Sequence, residues 1–447
     1  MLEILGQRRR MCDGVSRRGF LRAGFLGVAG LTLADLLRSE SQGSASPIGR
    51  AKRSVILIWQ HGGPSQLETF DMKPYAPAEY RGPYEPIESS LPGLQVSEKM
   101  PYHAKIMHHT TVFRGFTHGN GDHWAAAHWM LTGFLGANGS DRVPRRPSMG
   151  AIASRLMGPV LRGAPASVNF NDGGFGFHGA SYLGVAHNPI RVGEYSYGDE
   201  AGRLPTAEAR SFQLLAELSE ERLHGRLNLQ SQLDRVRRDV DARGTFENMD
   251  QMNQQALDIL LSGRTRDALD ITKEDPKIRE AYGPGWGEQT LMARRLIEAG
   301  VRFVTVNTGY WDDHGQIKRA LDDKLPRHDR AVGVLIDDLA QRGLLDDTLV
   351  VTAGEFGRTP RINNDAGRDH WPQAQSILVA GGGYRHGQIV GSTNDKAEYP
   401  TSRPITPNDF NMIFYHALGL SPELTIKDHS GRPNKLLAGG ELPKELL

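Results

Sequence analysis

The sequence contains a single cysteine, Cys12, among 447 residues. Cys12 precedes the segment that we interpret below as an export signal, so the exported chain would contain no thiol. This excludes disulfides, cysteine nucleophiles and thiolate metal ligands from the folded domain. A metal ion would therefore have to be bound by histidine and carboxylate side chains.

The N-terminal hydrophobic run, residues 23–37, is short for a membrane span. It covers about 15 residues and contains three glycines, whereas a spanning helix needs about 20 apolar residues. We therefore predict no stable membrane span, with a retained N-terminal anchor as the alternative.

The chain beyond the N-terminal segment also lacks an excess of basic residues over acidic ones. Residues 1–53 hold ten of the 53 Lys and Arg residues and four of the 52 Asp and Glu residues, which leaves 43 basic and 48 acidic residues. A domain with this acidic balance lacks the positive charge that nucleic acids attract. We therefore expect no nucleic-acid partner.

The N-terminal segment carries an export motif. Twin arginines in Ser16-Arg17-Arg18-Gly19-Phe20-Leu21-Arg22 precede the weakly hydrophobic run. This pattern predicts a substrate of the bacterial twin-arginine translocase, with a final location in the periplasm or outside the cell. We accordingly assign residues 1–50 to a signal peptide and linker, and residues 51–447 to the folded domain.

The pattern of the remaining chain indicates an α/β fold. Ser54–Gln60 is an apolar, β-branched run before a Gly-Gly-Pro turn, which predicts a buried strand. Strands that alternate with helices predict a mostly parallel central sheet with helices on both faces. The other predicted strands are Thr110–Arg114, Ala166–Phe170, Val301–Asn307, Thr348–Ala353 and Ser376–Ala380, and the predicted helices are Ser211–Val240, Gln289–Ala299 and Lys324–Arg342.

Polar residues recur where these strands end. In open α/β sheets, active sites form beyond the carboxyl ends of the strands. Any one of these residues could have an ordinary structural role, for example an aspartate that caps a helix, but their recurrence predicts a shared site. The polar segments are His61, His118–His123, Trp311–Gly315, Gly354–Arg358 and Gly367–Pro372.

The residue types at these positions restrict the metal. Imidazole together with carboxylate suits Zn²⁺, Mn²⁺, Fe²⁺ or Ni²⁺, whereas Ca²⁺ and Mg²⁺ prefer oxygen ligands. The many histidines favour one or two ions of Zn²⁺ or Mn²⁺.

Four long motifs carry a resemblance to a known family. They are GGPSQLETFDMKPYAPAEYRGPYEPI, HWAAAHWMLTG, LLDDTLVVTAGEFGRTPRIN and AGRDHWPQAQSILVAGGG. Together they resemble the domain-of-unknown-function 1501 family, whose members are exported by the twin-arginine pathway and are placed in the alkaline phosphatase and sulfatase superfamily. The resemblance covers nearly the whole exported chain and implies an alkaline phosphatase-like fold.

The resemblance also implies metal ligands. Members of the superfamily hold two metal ions over the central sheet and hydrolyse phosphate or sulfate esters through a covalent intermediate. In this chain a histidine, His61, stands where phosphatases have the metal-binding aspartate, and Phe356 stands where they have a histidine. The segment Asp312-Asp313-His314 is similar to a further ligand pair. The implied ligands are Asp313, His314 and His370 for one ion, and His61, Glu355 and His123 for the other.

His123 occupies the position of the sulfatase nucleophile, and Ala127 that of the sulfatase arginine. A formylglycine mechanism is therefore excluded. His123 could be a metal ligand, a base or a nucleophile, and we favour the ligand or base because metal binding removes the nucleophilicity of imidazole. Ser65 is a second available hydroxyl, but its context favours a turn and helix cap.

These observations predict an exported, metal-dependent hydrolase of a phosphate, sulfate or related ester. The substrate would be an anionic small molecule or glycan ester, with Arg358 or Arg368 binding the anion. The alternative is a non-catalytic binding or cell-envelope protein on the same fold, because a fold does not establish a function.

Overall fold

The structure is a computed structural model that describes residues 53–136, 138–172, 178–194, 256, 258–260, 262–428 and 430–447. The predicted signal peptide and the predicted helix Ser211–Val240 lie outside the described residues. Within the described part, no helix has the length and apolar character needed to cross a membrane.

An eight-stranded sheet forms the centre of the fold. Its order is β8-β2-β7-β6-β1-β5-β3-β4. Strand β7 runs antiparallel to its neighbours β2 and β6, and the other paired strands are parallel. The strands are β1 (Ser54–Gln60), β2 (Thr110–Phe116), β3 (Ser167–Asp172), β4 (Ile190–Glu194), β5 (Phe303–Thr308), β6 (Thr348–Ala353), β7 (Gln375–Gly381) and β8 (Gln388–Val390).

Helices cover both faces of this sheet. Those described are α1 (Ala78–Arg81), α2 (Pro101–Ile106), α3 (His123–Thr132), α4 (Met149–Met157), α5 (Arg264–Leu269), α6 (Pro276–Tyr282), α7 (Trp286–Glu298), α8 (Ile317–Gln341) and α9 (Pro407–Leu418). Short 3₁₀ turns lie at Met107–His109, Ser181–Leu183, Val185–His187, Ile271–Lys273 and Lys444–Leu446. Two-stranded ladders pair Pro86–Glu88 with Gln95–Ser97, Gly357–Arg358 with His370–Trp371, Ser392–Thr393 with Pro400–Ser402, and Thr425–Lys427 with Pro433–Lys435.

Strand β1 lies at the centre because its side chains are apolar on both faces. All seven residues are buried. Ile56 and Ile58 pack into the cluster that contains the apolar faces of α2, α7 and α8, whereas Leu57 and Trp59 pack with those of α3, α4 and α9. A parallel strand that is covered on both sides has no need for polar alternation. The predicted fold class is therefore confirmed.

The predicted elements match the structure closely, with one larger difference. Strands β1 and β6 have the predicted bounds, and the other predicted strands that the structure describes are shifted by one or two residues at their ends. Helix α8 begins at Ile317 rather than at Lys324, because Ile317, Leu321 and Leu325 continue its buried face at a spacing of four residues. This extension places Lys324 within the helix, where it contacts the loop after β5.

The topology brings the polar segments to one edge of the sheet. Strands β1, β5 and β6 are adjacent and parallel, so the loops that follow them, containing His61, Asp312 and Glu355, emerge at the same edge. Two further segments reach this edge from outside the sheet. They are the first turn of α3, which begins at His123, and the ladder strand that contains His370.

Candidate metal centre

The carboxylate of Asp312 lies at the centre of the candidate site. Its Oδ1 is 2.9 Å from Nε2 of His314 and 3.1 Å from Nε2 of His370. Its Oδ2 is 3.2 Å from Nε2 of His123. The candidate ligand atoms of His123, Asp312 and His370 all lie within 4.8 Å of one another, and among the described residues this is the group that could hold a metal ion.

All three histidines present the same nitrogen to Asp312, because the other nitrogen is bonded to an oxygen. Nδ1 of His123 lies 2.6 Å from Oε1 of Glu355, and Nδ1 of His314 lies 2.7 Å from Oδ1 of Asp369. Nδ1 of His370 lies 2.8 Å from the carbonyl oxygen of Gly121. Carboxylates and carbonyls only accept hydrogen bonds, so each Nδ1 carries the proton. Each Nε2 faces the carboxylate of Asp312, so a metal ion that bound there would compete with protons on these nitrogens.

Two further side chains hold Asp312. The hydroxyl of Tyr310 donates to Oδ2 of Asp312 over 2.8 Å, and the guanidinium of Arg358 donates to Oδ1. The other donors of Arg358 reach the carbonyl oxygens of Gly62, Gly63 and Arg368. Arg358 is buried and donates hydrogen bonds to four oxygen atoms of the protein, so its role in this structure is to orient the central carboxylate.

Glu355 orients His123 and the first loop. Its buried carboxylate accepts hydrogen bonds from the amide of Gly62, at 3.0 and 3.2 Å, as well as from His123. Gly62 has φ of +102°, and a Cβ there would lie 2.7 Å from the amide nitrogen of Asp312. Only glycine fits where the loops after β1 and β5 meet this closely.

The structure groups the predicted ligands differently from the resemblance. Glu355 bonds to Gly62 and His123, and His61 is buried beside the ring of Tyr310, with 5.8 Å between ring centroids. Burial lowers the pKa of His61 to about 4, which keeps the imidazole neutral. His123, which was predicted to share an ion with these two residues, contacts Glu355 through Nδ1 and faces Asp312 and His370 through Nε2.

Asp313 is also separated from the cluster. Its Oδ1 forms an ion pair of 2.5 Å with Nζ of Lys324, which comes from α8. Burial raises the pKa of Asp313, although the charge of Lys324 opposes the shift. Because α8 begins at Ile317, Lys324 lies within the helix and forms its ion pair with Asp313. The carboxylate in the cluster is therefore that of Asp312 rather than that of Asp313.

Arg368 lies in a structural ion pair. Its side chain is fully buried and contacts Glu68, with Nη2 2.6 Å and Nε 3.0 Å from Oε1. It also donates to the carbonyl oxygens of Thr359 and Tyr80. The chemistry of arginine predicted that Arg358 or Arg368 would bind the anion, but in this structure both guanidinium groups bond to the protein itself.

The charges at the centre favour a proton on His123. Burial disfavours the charged imidazole, but the hydrogen bonds and charges of Asp312 and Glu355 outweigh it and raise the pKa of His123 to about 9. Burial also acts against the charge of Asp312, but His123, His370 and Arg358 hold the pKa of that carboxyl far below its usual range. The metal-free cluster is therefore a protonated imidazole beside an ionised carboxylate.

Three neighbours of the centre were given no site role from the sequence. Tyr310 directly precedes the segment Trp311–Gly315, Asp369 lies within the segment Gly367–Pro372, and Phe356 was identified only as standing where phosphatases have a histidine. The ring of Phe356 packs against His123 and His370, with centroids 4.8 and 4.6 Å apart. Adjacency to the predicted ligands was the only available signal for these residues.

Ser65, the hydroxyl considered from the sequence, and His128, the second histidine of α3, both lie outside the centre. His128 is buried, and its Nδ1 lies 2.6 Å from the carbonyl oxygen of Phe134, which is a structural contact. Ser65 is buried and precedes a turn, in which the amide of Asp71 donates to the carbonyl of Gln66 over 2.9 Å. The predicted turn is present there, but no helix begins at Ser65.

An open groove adjoins the cluster. It encloses about 400 Å³. Asp369, which bonds to His314, lies in its wall, and Trp371 is held in that wall by a 2.7 Å hydrogen bond from its indole N–H to the carbonyl of Glu398. The lining residues are Tyr80, Thr359, Pro360, Arg361, Ile362, Asn363, Asn364, Asp369, Trp371 and Glu398.

Solved structures similar to this chain include a sulfatase and a phosphonate monoester hydrolase. The PsFucS1 sulfatase from Pseudoalteromonas sp. has 10% identity and a TM-score of 0.37, over 85% of this chain and 72% of the sulfatase. The phosphonate monoester hydrolase SpPMH from Silicibacter pomeroyi has 12% identity and a TM-score of 0.32, over 83% of this chain and 73% of the hydrolase. Among curated proteins, none matches this sequence. A family model described as Protein of unknown function (DUF1501) matches residues 52–447, so the chain belongs to the family that its sequence motifs resemble.

Proposed function

We propose that this protein is an exported, metal-dependent hydrolase of phosphate, sulfate or related esters. One observation carries the proposal: the Nε2 atoms of His123, His314 and His370 converge on the carboxylate of Asp312, and each ring is held through Nδ1 by an acceptor. Histidines that bind metal are oriented in this way by a partner on the other ring nitrogen.

The donor set fits a divalent transition metal. Imidazole nitrogens with one carboxylate suit Zn²⁺ or Mn²⁺ better than Ca²⁺ or Mg²⁺. Asp312, His123 and His370 would hold the ion. His314, whose Nε2 lies 2.9 Å from Oδ1 of Asp312 and 3.1 Å from Nε2 of His370, would be the fourth ligand. A bound ion of this kind would polarise an ester oxygen and lower the pKa of coordinated water towards 7.

The chain's own residues would keep the site in shape during the reaction. Arg358 and Tyr310 would hold the carboxylate of Asp312 in one orientation, and Glu355 would keep the Nδ1 proton on His123. Phe356 fills the side of the cluster where the resemblance implied a further histidine, and it contacts both His123 and His370. We therefore propose one ion rather than two.

The groove beside the cluster would bind the alcohol part of the ester. Its aromatic side chains, Trp371 and Tyr80, suit the apolar face of a sugar ring, and the amide of Asn364 suits hydroxyls. Because Arg358 and Arg368 bond to the protein itself, the charge of the ester would be balanced at the cluster. An anionic small-molecule or glycan ester is the proposed substrate class.

The first test is metal analysis of the purified mature protein after incubation with Zn²⁺ or Mn²⁺. We expect one ion per chain, and turnover in a screen of aryl phosphates, phosphodiesters and sulfates. His123→Ala should lose metal and activity together, whereas His123→Asp should keep part of both, because a carboxylate still coordinates. His108→Ala, which replaces an exposed histidine away from the cluster, is the matched control. A folded protein that takes up neither ion would overturn the proposal.

Export is tested separately. Replacing Arg17 and Arg18 with lysines should leave unprocessed precursor in the cytoplasm, because the twin-arginine translocase recognises the arginine pair. Fractionation of cells that express the wild type and the variant measures this. Normal export of the lysine variant would contradict the proposed route to the periplasm or cell exterior.

A further inference from the structure

We propose that Asp369, held in place by Asn363, is the positioning residue that fixes the ring orientation and tautomer of His314. This inference rests on the proposed function, because it concerns how one imidazole is presented to the metal centre. Neither Asp369 nor Asn363 would contact the metal or the reacting atoms.

Packing alone does not hold His314. Its side chain is 47% exposed, and an exposed imidazole can change rotamer within nanoseconds unless polar contacts hold it. The bond from Nδ1 to Oδ1 of Asp369 is 2.7 Å long. The contacts of Nε2 with Asp312 and His370 are at 2.9 and 3.1 Å. A metal ion bound at Nε2 would replace these two contacts, so the Asp369 bond is the contact that would orient the ring both with and without the metal.

Asp369 also selects the tautomer. Its ionised carboxylate only accepts hydrogen bonds, so it stabilises the imidazole with the proton on Nδ1. In that tautomer the lone pair lies on Nε2, where a metal ion bound beside Asp312 would need it; without a metal, the carboxylate of Asp312 opposes this choice because it accepts a hydrogen bond from Nε2–H. The opposite tautomer would place a proton where a metal ligand is needed.

Asn363 holds Asp369 and the backbone of His314 together. Its Nδ2 donates to Oδ1 of Asp369 over 3.2 Å and to the carbonyl oxygen of His314 over 2.9 Å. Its Oδ1 accepts from the amides of Asp365, at 3.0 Å, and Gly367, at 2.9 Å. These four partners fix which end of the amide is nitrogen and which is oxygen.

The two loops also fit closely along their backbones. The amide of Gln316 donates to the carbonyl of Asp365, and that of Ile317 to the carbonyl of Ala366, both over 2.9 Å. A Cβ on Gly367 would lie 2.1 Å from the carbonyl oxygen of His314, so no side chain fits there. Ala366 has φ of +56°, a conformation that a non-glycine residue keeps when its surroundings require it. Segment 363–369 is thus shaped to the backbone of His314 as well as to its ring.

The test compares Asp369→Ala, Asp369→Asn and Asn363→Ala with Asp365→Ala. Asp365 lies in the same loop and is exposed, and no hydrogen bond or ion pair of its carboxylate occurs in the described part of the chain. Zinc affinity is measured by chelator competition. We expect Asp369→Ala to weaken zinc binding roughly 10- to 100-fold, Asp369→Asn and Asn363→Ala to weaken it less, and Asp365→Ala to leave it unchanged.

A second readout needs no metal and no activity. Nitrogen-15 NMR of the histidine rings in the metal-free protein reports the tautomer of His314. In an Asp312→Ala background, where no carboxylate competes for a proton on Nε2, His314 should carry its proton on Nδ1, and adding Asp369→Ala should give a mixture of tautomers. An unchanged tautomer after this addition would overturn the inference. If the wild type binds no zinc, the proposed function fails, but the NMR comparison still decides the role of Asp369.

A double-mutant comparison separates positioning from simple charge. In a His314→Ala background, Asp369→Ala should cause no further loss of zinc affinity, because the ring that it orients is gone. His314→Gln serves as a second background in case the alanine variant is unstable. An equal loss in the presence and absence of His314 would mean that Asp369 merely attracts cations, and it would overturn the inference.

Discussion

The protein contains two clusters of histidine and aspartate with opposite properties. At the edge of the sheet, Asp312 is shared by three imidazoles, a tyrosine and an arginine. Between α2 and α8, Nδ1 of His103 lies 2.7 Å from Asp329, and the ring of His328 stacks on that of His103 at 5.6 Å. All three residues of the second cluster are buried.

The difference lies in what each carboxylate does. The carboxylate of Asp329 accepts hydrogen bonds from the backbone amides of Tyr102 and His103, at 2.9 and 2.7 Å. These amides lie in the first turn of α2, where no helical carbonyl is available to them. Both oxygens of Asp329 accept hydrogen bonds that stabilise the fold, and His103 and His328 beside it are buried from solvent. Asp312 instead collects several ring nitrogens beside an open groove. Residue type alone therefore does not identify a metal site; convergence of nitrogen atoms and access do.

The pKa values of the two clusters also move in opposite directions. Burial lowers the pKa of His328 well below its usual value, aided by the nearby His103. At the metal centre, two carboxylates reverse the effect of burial and raise the pKa of His123. His328 thus stays neutral inside the core, whereas His123 holds a proton that a metal ion must displace.

The largest expected effect is on metal binding. Asp312→Ala should weaken zinc binding by roughly a thousandfold, about 4 kcal/mol, because it removes the one ligand that all three imidazoles face. The variant should remain folded, as judged by circular dichroism. Asp329→Ala should leave zinc affinity unchanged in the folded fraction. Tight zinc binding by Asp312→Ala would contradict the assignment of the Asp312 cluster, rather than the Asp329 cluster, as the metal site.

The second prediction concerns the free energy of unfolding of a variant in the buried cluster. Asp329→Ala should lower the free energy of unfolding by about 3–5 kcal/mol, because it leaves a buried histidine and two helix amides without their acceptor. Urea denaturation of the metal-free protein measures this. Asp329→Asn, which keeps an acceptor oxygen, should cost less than the alanine variant. A wild-type midpoint in Asp329→Ala would show that the second cluster is not structural.

The third prediction concerns pH. The folded-state pKa of His123 is raised from 6.5 to about 9, so its contribution to the stability of the metal-free protein is complete below about pH 6.5. That contribution is lost as the pH rises through about 9, and it is on the order of 3 kcal/mol. Zinc affinity should rise over the same range, because protons compete with the metal for this nitrogen.

Urea denaturation of the metal-free protein between pH 6 and pH 9.5 measures the effect on stability. His123→Gln is the control, since it cannot bind the proton and should have a flatter profile. Equal pH profiles for wild type and variant would mean that His123 is not the titrating group.

The smallest expected effect is in the groove. Trp371→Ala should raise KM for a glycoside ester by up to roughly tenfold, because stacking of an aromatic ring contributes about 0.5–1.5 kcal/mol. The kcat and the zinc affinity should stay unchanged. Tyr75→Ala, which removes an exposed aromatic side chain outside the groove, is the control. A lower kcat with unchanged KM would place Trp371 with the metal centre rather than with the substrate.

The strands and the edge that carries the site were predictable from the sequence. Ser54–Gln60 and Thr348–Ala353 are apolar runs bounded by glycine turns, and periodicity detects such runs whatever surrounds them. His123, Asp312, His314 and His370 were all among the predicted site residues because they follow such runs or lie in the family motifs. Composition also showed, without any structure, that residues 51–447 contain no cysteine and therefore no thiolate ligand or nucleophile.

The grouping of the site residues could not be predicted in the same way. Whether Asp312 or Asp313 faces the cluster depends on Lys324, and whether Arg368 binds an anion depends on Glu68, which lies 300 residues earlier in the chain. Local patterns carry no information about such distant partners. The sequence by itself determined the fold class and the residue types near the sheet edge. Only the tertiary structure decided which atoms converge on Asp312, because that depends on contacts between loops that are far apart in the chain.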